Sequence, residues 1–122
     1  MWTYHQQTGD LEHNGQFVGT GYSGAGHVAA DGRNNPDMQG DPDKGPIPRG
    51  SWIIGKPRWD NQCGPLTMDL TPAEGTDALG RSLFRIHGNN TADDASHGCI
   101  ILGRPIRELV AASGDTALEV VL

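Results

Sequence analysis

The sequence predicts a mainly β fold, a twisted sheet closed into a sandwich or barrel, with one helix packed on it. Three observations carry this. Only 35% of the 122 residues are hydrophobic while 18 are Gly and 8 are Pro, a composition that favours short strands and long turns over helices. Short runs of alternating apolar and polar residues recur along the chain, several of them bounded by turn residues. One segment alone, Pro105 to Ala112, carries helical spacing, with Ile106, Leu109 and Val110 on one face.

The chain opens as a meander. Trp2 to Gln6, Leu11 to His13 and Gln16 to Tyr22 read as strands, joined by Thr8-Gly9-Asp10 and by the strong hairpin signal Asn14-Gly15. His5 and His13 fall on these hairpins and read as solvent-facing. Gly24 to Gly50 is rich in Gly, Asn, Asp and Pro and is too long for a plain connection, which marks it as a lid or substrate wall. Within it His27, Arg33 and Asn34 are either substrate contacts or solvated loop residues. Ser51 to Gly55 and Leu66 to Leu70 read as strands, with Pro57-Arg58-Trp59-Asp60 between them and with Trp52 and Trp59 as core or pocket wall. Leu83 to His87 alternates and is ended by Gly88-Asn89-Asn90. After the apolar run Ile100 to Leu102, Gly103 breaks the chain, Pro105 suits a first helical turn, and Gly114 stops the helix before a last strand, Thr116 to Leu122. With no repeat and no linker, residues 1–122 read as one domain, able to bury about two thirds of its unfolded surface.

Charge narrows the function. A net charge of −6, with nine dispersed Lys and Arg, argues against nucleic acid, whose phosphates call for a basic patch. It gives no reason to expect a membrane surface either, and no stretch approaches the ~20 apolar residues of a membrane span. The N-terminus, Met1-Trp2-Thr3-Tyr4, begins as a strand rather than as a basic-then-apolar leader.

The chemistry concentrates in Ile86-His87-Gly88 and Ser96-His97-Gly98-Cys99-Ile100, which bring two imidazoles within twelve residues of a Gly-flanked thiol. A Cys at its ordinary pKa is only a few per cent thiolate at neutral pH, so a nucleophilic Cys needs a base or cation beside it, and either His87 or His97 supplies one. His87 ends a strand, a rigid place for a base. Gly98 lets the backbone approach a ligand, and the N–H groups of Gly98 and Cys99 suit a developing oxyanion. Three blander readings compete: Cys99 as a small buried hydrophobe, a zinc site of His87, His97 and Cys99 that lacks a fourth ligand at customary spacing, and a Cys63–Cys99 disulfide that leaves the histidines without a role. Catalysis accounts for the whole cluster, so neither a metal nor another cofactor is called for, and Cys63 is left as a single buried thiol away from the histidines.

The His-Gly and Ser-His-Gly-Cys-Ile elements resemble the signature of the L,D-transpeptidase catalytic domain (YkuD-like). Gly45-Pro46-Ile47-Pro48-Arg49-Gly50-Ser51-Trp52 resembles the segment such domains place before a core strand. Together with Gly21-Tyr22-Ser23-Gly24 and Asn34-Asn35-Pro36, the likeness is nearest to a compact branch, the type VI secretion L,D-transpeptidase effectors, and spans about Tyr4 to Leu109. The resemblance implies a β-sandwich or barrel of the L,D-transpeptidase type, with one short helix after the catalytic Cys. It implies Cys99 as nucleophile, His87 as base and the Gly88 carbonyl as its orienting group. The N–H groups of His97, Gly98 and Cys99 then line the oxyanion hole, with Ser96 and the His97 side chain in the pocket. Many relatives carry Arg or Asn where this chain has Ile101, so Arg85, Arg104 or Arg49 is expected to hold the substrate carboxylate, with Tyr22 a further pocket candidate.

The implied activity is peptidoglycan modification. The thiolate attacks the carbonyl of the third stem residue, a diaminopimelate, and expels the terminal D-alanine. Water then gives L,D-carboxypeptidase activity, a D-amino acid gives exchange, and another stem gives a crosslink. An effector of this branch reaches the periplasm of a target cell without a Sec leader, and its producer needs a cognate immunity protein covering the Cys99 cleft and the Gly24–Gly50 rim. The rivals are a papain- or NlpC-like cysteine peptidase or amidase, folds that usually place Cys before His, and a non-catalytic wall-binding module.

Overall fold

Asn14 and Gly15 turn the chain as their side chains allow: both have positive φ, 50° and 85°, the geometry that matches the twist of a two-residue hairpin. They join β2 (Asp10–His13) to β3 (Gln16–Thr20), and β2 pairs antiparallel with β1 (Trp2–His5). These elements belong to a computed structural model that describes residues 1–122. The remaining elements are β4 (Tyr22–Ser23), β5 (Gly50–Ile54), β6 (Arg58–Asp60), β7 (Gly64–Pro72), β8 (Phe84–His87), β9 (Ile100–Ile101), α1 (Arg104–Ser113) and β10 (Ala117–Val121).

The fold is mainly β, as the composition implies: one nearly closed, barrel-like sheet in the order β3-β2-β1-β10-β5-β7-β8-β9-β4, with β6 added beside β7. Two pairs are parallel, β1 with β10 and β8 with β9; the rest are antiparallel. The ends of the order, β3 and β4, are separated in sequence by Gly21 alone. The expected single strand from Gln16 to Tyr22 therefore changes partners half-way, from β2 to β9. Glycine is required at that seam: a Cβ on Gly21 would fall 2.0 Å from the Ile101 carbonyl oxygen, and the Gly21 N–H donates to the Gly9 carbonyl at 2.8 Å.

Fifteen buried apolar residues form the core, among them Trp2, Tyr4, Trp52, Phe84, Ile86 and Ile100. Trp52 is fully buried, but Trp59 is 67% exposed, which corrects its expected place in core or pocket wall. It sits on β6, a strand hidden in the sequence by Pro57 and two flanking charges. The helix runs as expected, with Gly114 in the left-handed conformation (φ 69°) at its end. No helix is long and apolar enough to cross a membrane.

Strand alternation decides where the chemistry lies. Phe84 and Ile86 point into the core, so Arg85 and His87 leave β8 on its other face. In the parallel register Ile86 lies beside Ile100 and His87 beside Ile101. Ile100 joins the core, so Cys99 falls on the same outer face as Arg85 and His87.

Candidate active site

Cys99, His87 and Arg85 line one cavity of about 470 Å³, together with Cys63, His97 and Asp43. His87 closes β8 and is 6% exposed. Its Nδ1 lies 2.9 Å from the Gly88 carbonyl oxygen. A carbonyl only accepts, so Nδ1 carries the proton and Nε2 presents its lone pair. Burial lowers the His87 pKa below the ordinary histidine value; the Arg107 and Arg85 guanidinium groups push the same way, against the Gly88 carbonyl and Asp60. Burial pushes the Cys99 thiol up to about 11, opposed by the Arg85 backbone N–H. Both shifts favour the uncharged forms, a neutral thiol beside a neutral imidazole, while the Arg85 and Arg81 guanidinium groups act on the thiol in the opposite sense. The Cys99 Sγ lies 3.7 Å from the Leu83 carbonyl, and Leu83 is held in the left-handed conformation, φ 65°, at the cavity mouth.

Ser96 is fully buried and acts as a brace. Its Oγ donates to the Cys99 carbonyl at 2.6 Å and accepts the N–H groups of Gly24 (2.9 Å) and Gly98 (3.1 Å). Of the three N–H groups expected to line an oxyanion hole, one is therefore already taken. The Gly98 N–H is engaged, and only the N–H groups of His97 and Cys99 lack an acceptor within the chain. Gly98 itself has φ 132° and packs against Arg81 and Phe84. Removing the hydroxyl leaves two buried N–H groups unsatisfied. Ser96→Ala is accordingly expected to cost about 1–3 kcal/mol, measured as a lower urea midpoint with unchanged denaturant dependence.

The other sequence candidates separate. His97 is exposed, with Nδ1 3.3 Å from the Asp43 carbonyl, at the rim. Tyr22 is buried outside the cavity: its hydroxyl donates to Asn89 Oδ1 at 2.6 Å and accepts the Ala95 N–H at 2.9 Å, while the Arg33 guanidinium lies 3.5 Å above its ring. It ties down the loop between β8 and β9. Arg49 donates to Gln6 and lines a different cavity, and Arg104 pairs with Glu108 on the exposed side of α1. Of the three arginines expected to meet substrate, Arg85 alone reaches the cavity. It lies 3.3 Å from Asp69, which Arg58 also clasps with two nitrogens.

Cys63 is not remote, as the sequence suggests. The turn before β7 brings it into the same cavity, where Arg85 Nη1 lies 3.9 Å from its sulfur. Asp60 accepts its N–H and is held well below the usual carboxylate range chiefly by that bond. Both cysteines are free thiols, and no three His, Cys, Asp or Glu side chains converge to hold a metal ion.

Of the long loop, His27 and Arg33 meet the β8–β9 connection instead of the cavity, at the Ala92 and Asp93 carbonyls (2.7 and 2.9 Å), and Asp43 alone reaches the rim. Arg81 had no signal in its polar surroundings. Half-buried, it donates to the carbonyls of Gln39, Gly45, Pro46 and His97, and so fixes this loop to the rim.

The family model described as the Tlde1 domain matches residues 18–120, which include every residue of the cavity. The chain belongs to the Tlde1 domain family. This is a family of type VI secretion effectors. No curated protein matches the chain. The Tlde1 domain match begins at Val18, inside β3, so β1 and β2 lie outside it although β1 pairs with β10 within the same sheet.

Proposed function

We propose that this Tlde1 domain is a peptidoglycan-modifying cysteine enzyme, an L,D-carboxypeptidase and L,D-transpeptidase acting on tetrapeptide stems. The observation that carries the reading is the placement of Cys99 and His87 on one face of two parallel strands, in one cavity, with the His87 proton tied to Gly88. In this reading the Cys99 sulfur attacks the carbonyl of the stem's diaminopimelate as His87 Nε2 takes the thiol proton. The N–H groups of His97 and Cys99 receive the oxyanion. The imidazolium then protonates the departing D-alanine nitrogen, leaving a thioester. Water releases a tripeptide; an incoming D-amino acid or a second stem's amine gives exchange or a crosslink. Arg85, the cation within the cavity, holds the substrate carboxylate in place of the residue that Ile101 replaces.

Purified protein and a defined tetrapeptide stem test the chemistry by mass spectrometry. Loss of terminal D-alanine alone is the expected result. Cleavage at the lactyl amide or the D-glutamyl linkage overturns it in favour of a cysteine amidase, and binding to sacculi without any product favours a wall-binding module.

The family supports delivery as an antibacterial toxin that acts in the target periplasm. A cognate immunity protein is then required, covering the Cys99 cavity at the Asp43 rim, with basic groups to match an acidic toxin. Expression in a bacterium with a fused periplasmic signal is expected to arrest growth or cause lysis, and expression without the signal is expected to be tolerated. Equal toxicity from the cytoplasm places the target elsewhere.

A further inference from the structure

Arg107 occupies a position on α1 where the packing calls for an apolar residue, between Ile106 and Val110, and it is 8% exposed. No carboxylate meets it. Its bonds go to carbonyls: Nε to Leu102 at 3.0 Å, and Nη1 to Pro65 at 2.8 Å and Leu66 at 3.5 Å. A buried guanidinium without a counter-ion is costly, and a Leu there would avoid the cost. The remaining nitrogen, Nη2, lies against Gly88: a Cβ built there would come within 2.7 Å of it. Gly88 is the residue whose carbonyl holds His87 Nδ1, and the His87 carbonyl in turn accepts the Leu102 N–H at 3.1 Å. The guanidinium thus joins the β7 entrance, the end of β9 and the His87–Gly88 corner.

We infer that Arg107 is a positioning residue for His87, seating the His87–Gly88 corner from beneath and setting a permanent positive charge against the imidazole. The other charged or titratable groups facing His87 are Arg85 on its own strand, Asp60 on β6, the Cys63 and Cys99 thiols across the cavity, and Asp43 and His97 at its rim; Arg104 and Glu108 on α1 satisfy each other. Of the two carboxylates, Asp60 is committed to Arg58 and to the Cys63 turn, and Asp43 lies at the rim beside His97. A base held against a fixed cation stays unprotonated between turnovers. It gives up a proton readily once it has taken one from Cys99, which suits donation to a leaving amine.

The test reads His87 directly by NMR titration of the folded protein, its signal identified among the five histidines by loss in His87→Gln. Arg107→Gln is expected to raise the His87 midpoint by about one pH unit, and Arg107→Lys to leave it low. The acid limb of kcat/KM on stem peptide should move with it. This kinetic arm rests on His87 being the base, whereas the NMR arm does not, so failure of the proposed activity and failure of this inference are separable. A folded Arg107→Gln protein whose His87 midpoint matches the parent overturns the inference. Should the Arg107 variants fail to fold, Gly88→Ala displaces Nη2 by a methyl group, and an unchanged His87 midpoint in that variant overturns it equally.

Discussion

Cys99→Ala is expected to abolish turnover of tetrapeptide stems while leaving the fold intact, and to remove toxicity in the periplasm. The loss should be complete within assay limits, because Cys99 alone immediately precedes the strand paired beside His87, whereas Cys63 enters the cavity from the β6–β7 turn and meets Arg85. The side chain removed is small and only partly buried, so the substitution should lower stability by about 1 kcal/mol. Mass spectrometry should find an acyl adduct on Cys99 in the parent protein when substrate is in excess, and none on Cys63. A Cys99→Ala protein that still releases D-alanine would falsify the covalent mechanism.

The second large effect is His87→Ala, with an expected loss of at least about 10²-fold in kcat, as for other general bases. Its pH signature follows from the two neutral partners. Burial lowers the His87 pKa, so the imidazole is protonated, and activity lost, only below the ordinary histidine range of about 6.5. Above that limb the rate should stay level through neutral pH, since burial pushes the Cys99 thiol up to about 11. A stopped-flow or discontinuous assay from pH 4 to 10, with ionic strength held constant, checks this. A rate that climbs steadily between pH 7 and 10 would instead indicate attack by a preformed thiolate, and an acid limb above pH 7 would contradict a buried neutral base.

The chemistry was legible where it is local. Ser96 to Ile100 and His87-Gly88 stand out because a Gly-flanked thiol and nearby imidazoles are close in sequence, and the structure puts Cys99 and His87 in one cavity; the single helix was visible because Pro105, Ile106, Val110 and Gly114 fix its ends and its face. What failed was long-range. Tyr22 carries no sign that its hydroxyl will be taken by Asn89 and Ala95, more than sixty residues away. Arg49 and Arg104 resemble Arg85 as residue types, and only the register Asp69 with Arg85 on β7 and β8 distinguishes the one that faces the cavity. The break in the Gln16–Tyr22 strand was hidden because Gly21 reads as a bulge or a turn, and nothing nearby shows that Ile101 will press against it. Arg107 carries no sign of its place in the sequence, since a buried cation satisfied by carbonyls leaves no trace in hydropathy.

The one-residue seam at Gly21 gives the barrel a preferred place to open. Two residues on from Gly21, the Ser23 hydroxyl donates to the Gly98 carbonyl at 2.9 Å and accepts the Ile47 N–H at 2.9 Å, while the neighbouring Gly24 N–H bonds Ser96. The short strand that shuts the sheet is therefore also bonded to the segment that carries Cys99. β4 pairs through only two residues, Tyr22 with Ile101 and Ser23 with Ile100, so it is the cheapest part of the sheet to release. A transient unzipping there would undo the Cys99 site, and with it the proposed activity, long before the fifteen-residue core lets go. In hydrogen exchange, amides around Tyr22 and Ile100 should lose protection at low denaturant together with activity, while those of β1, β5 and β10 persist to the global transition.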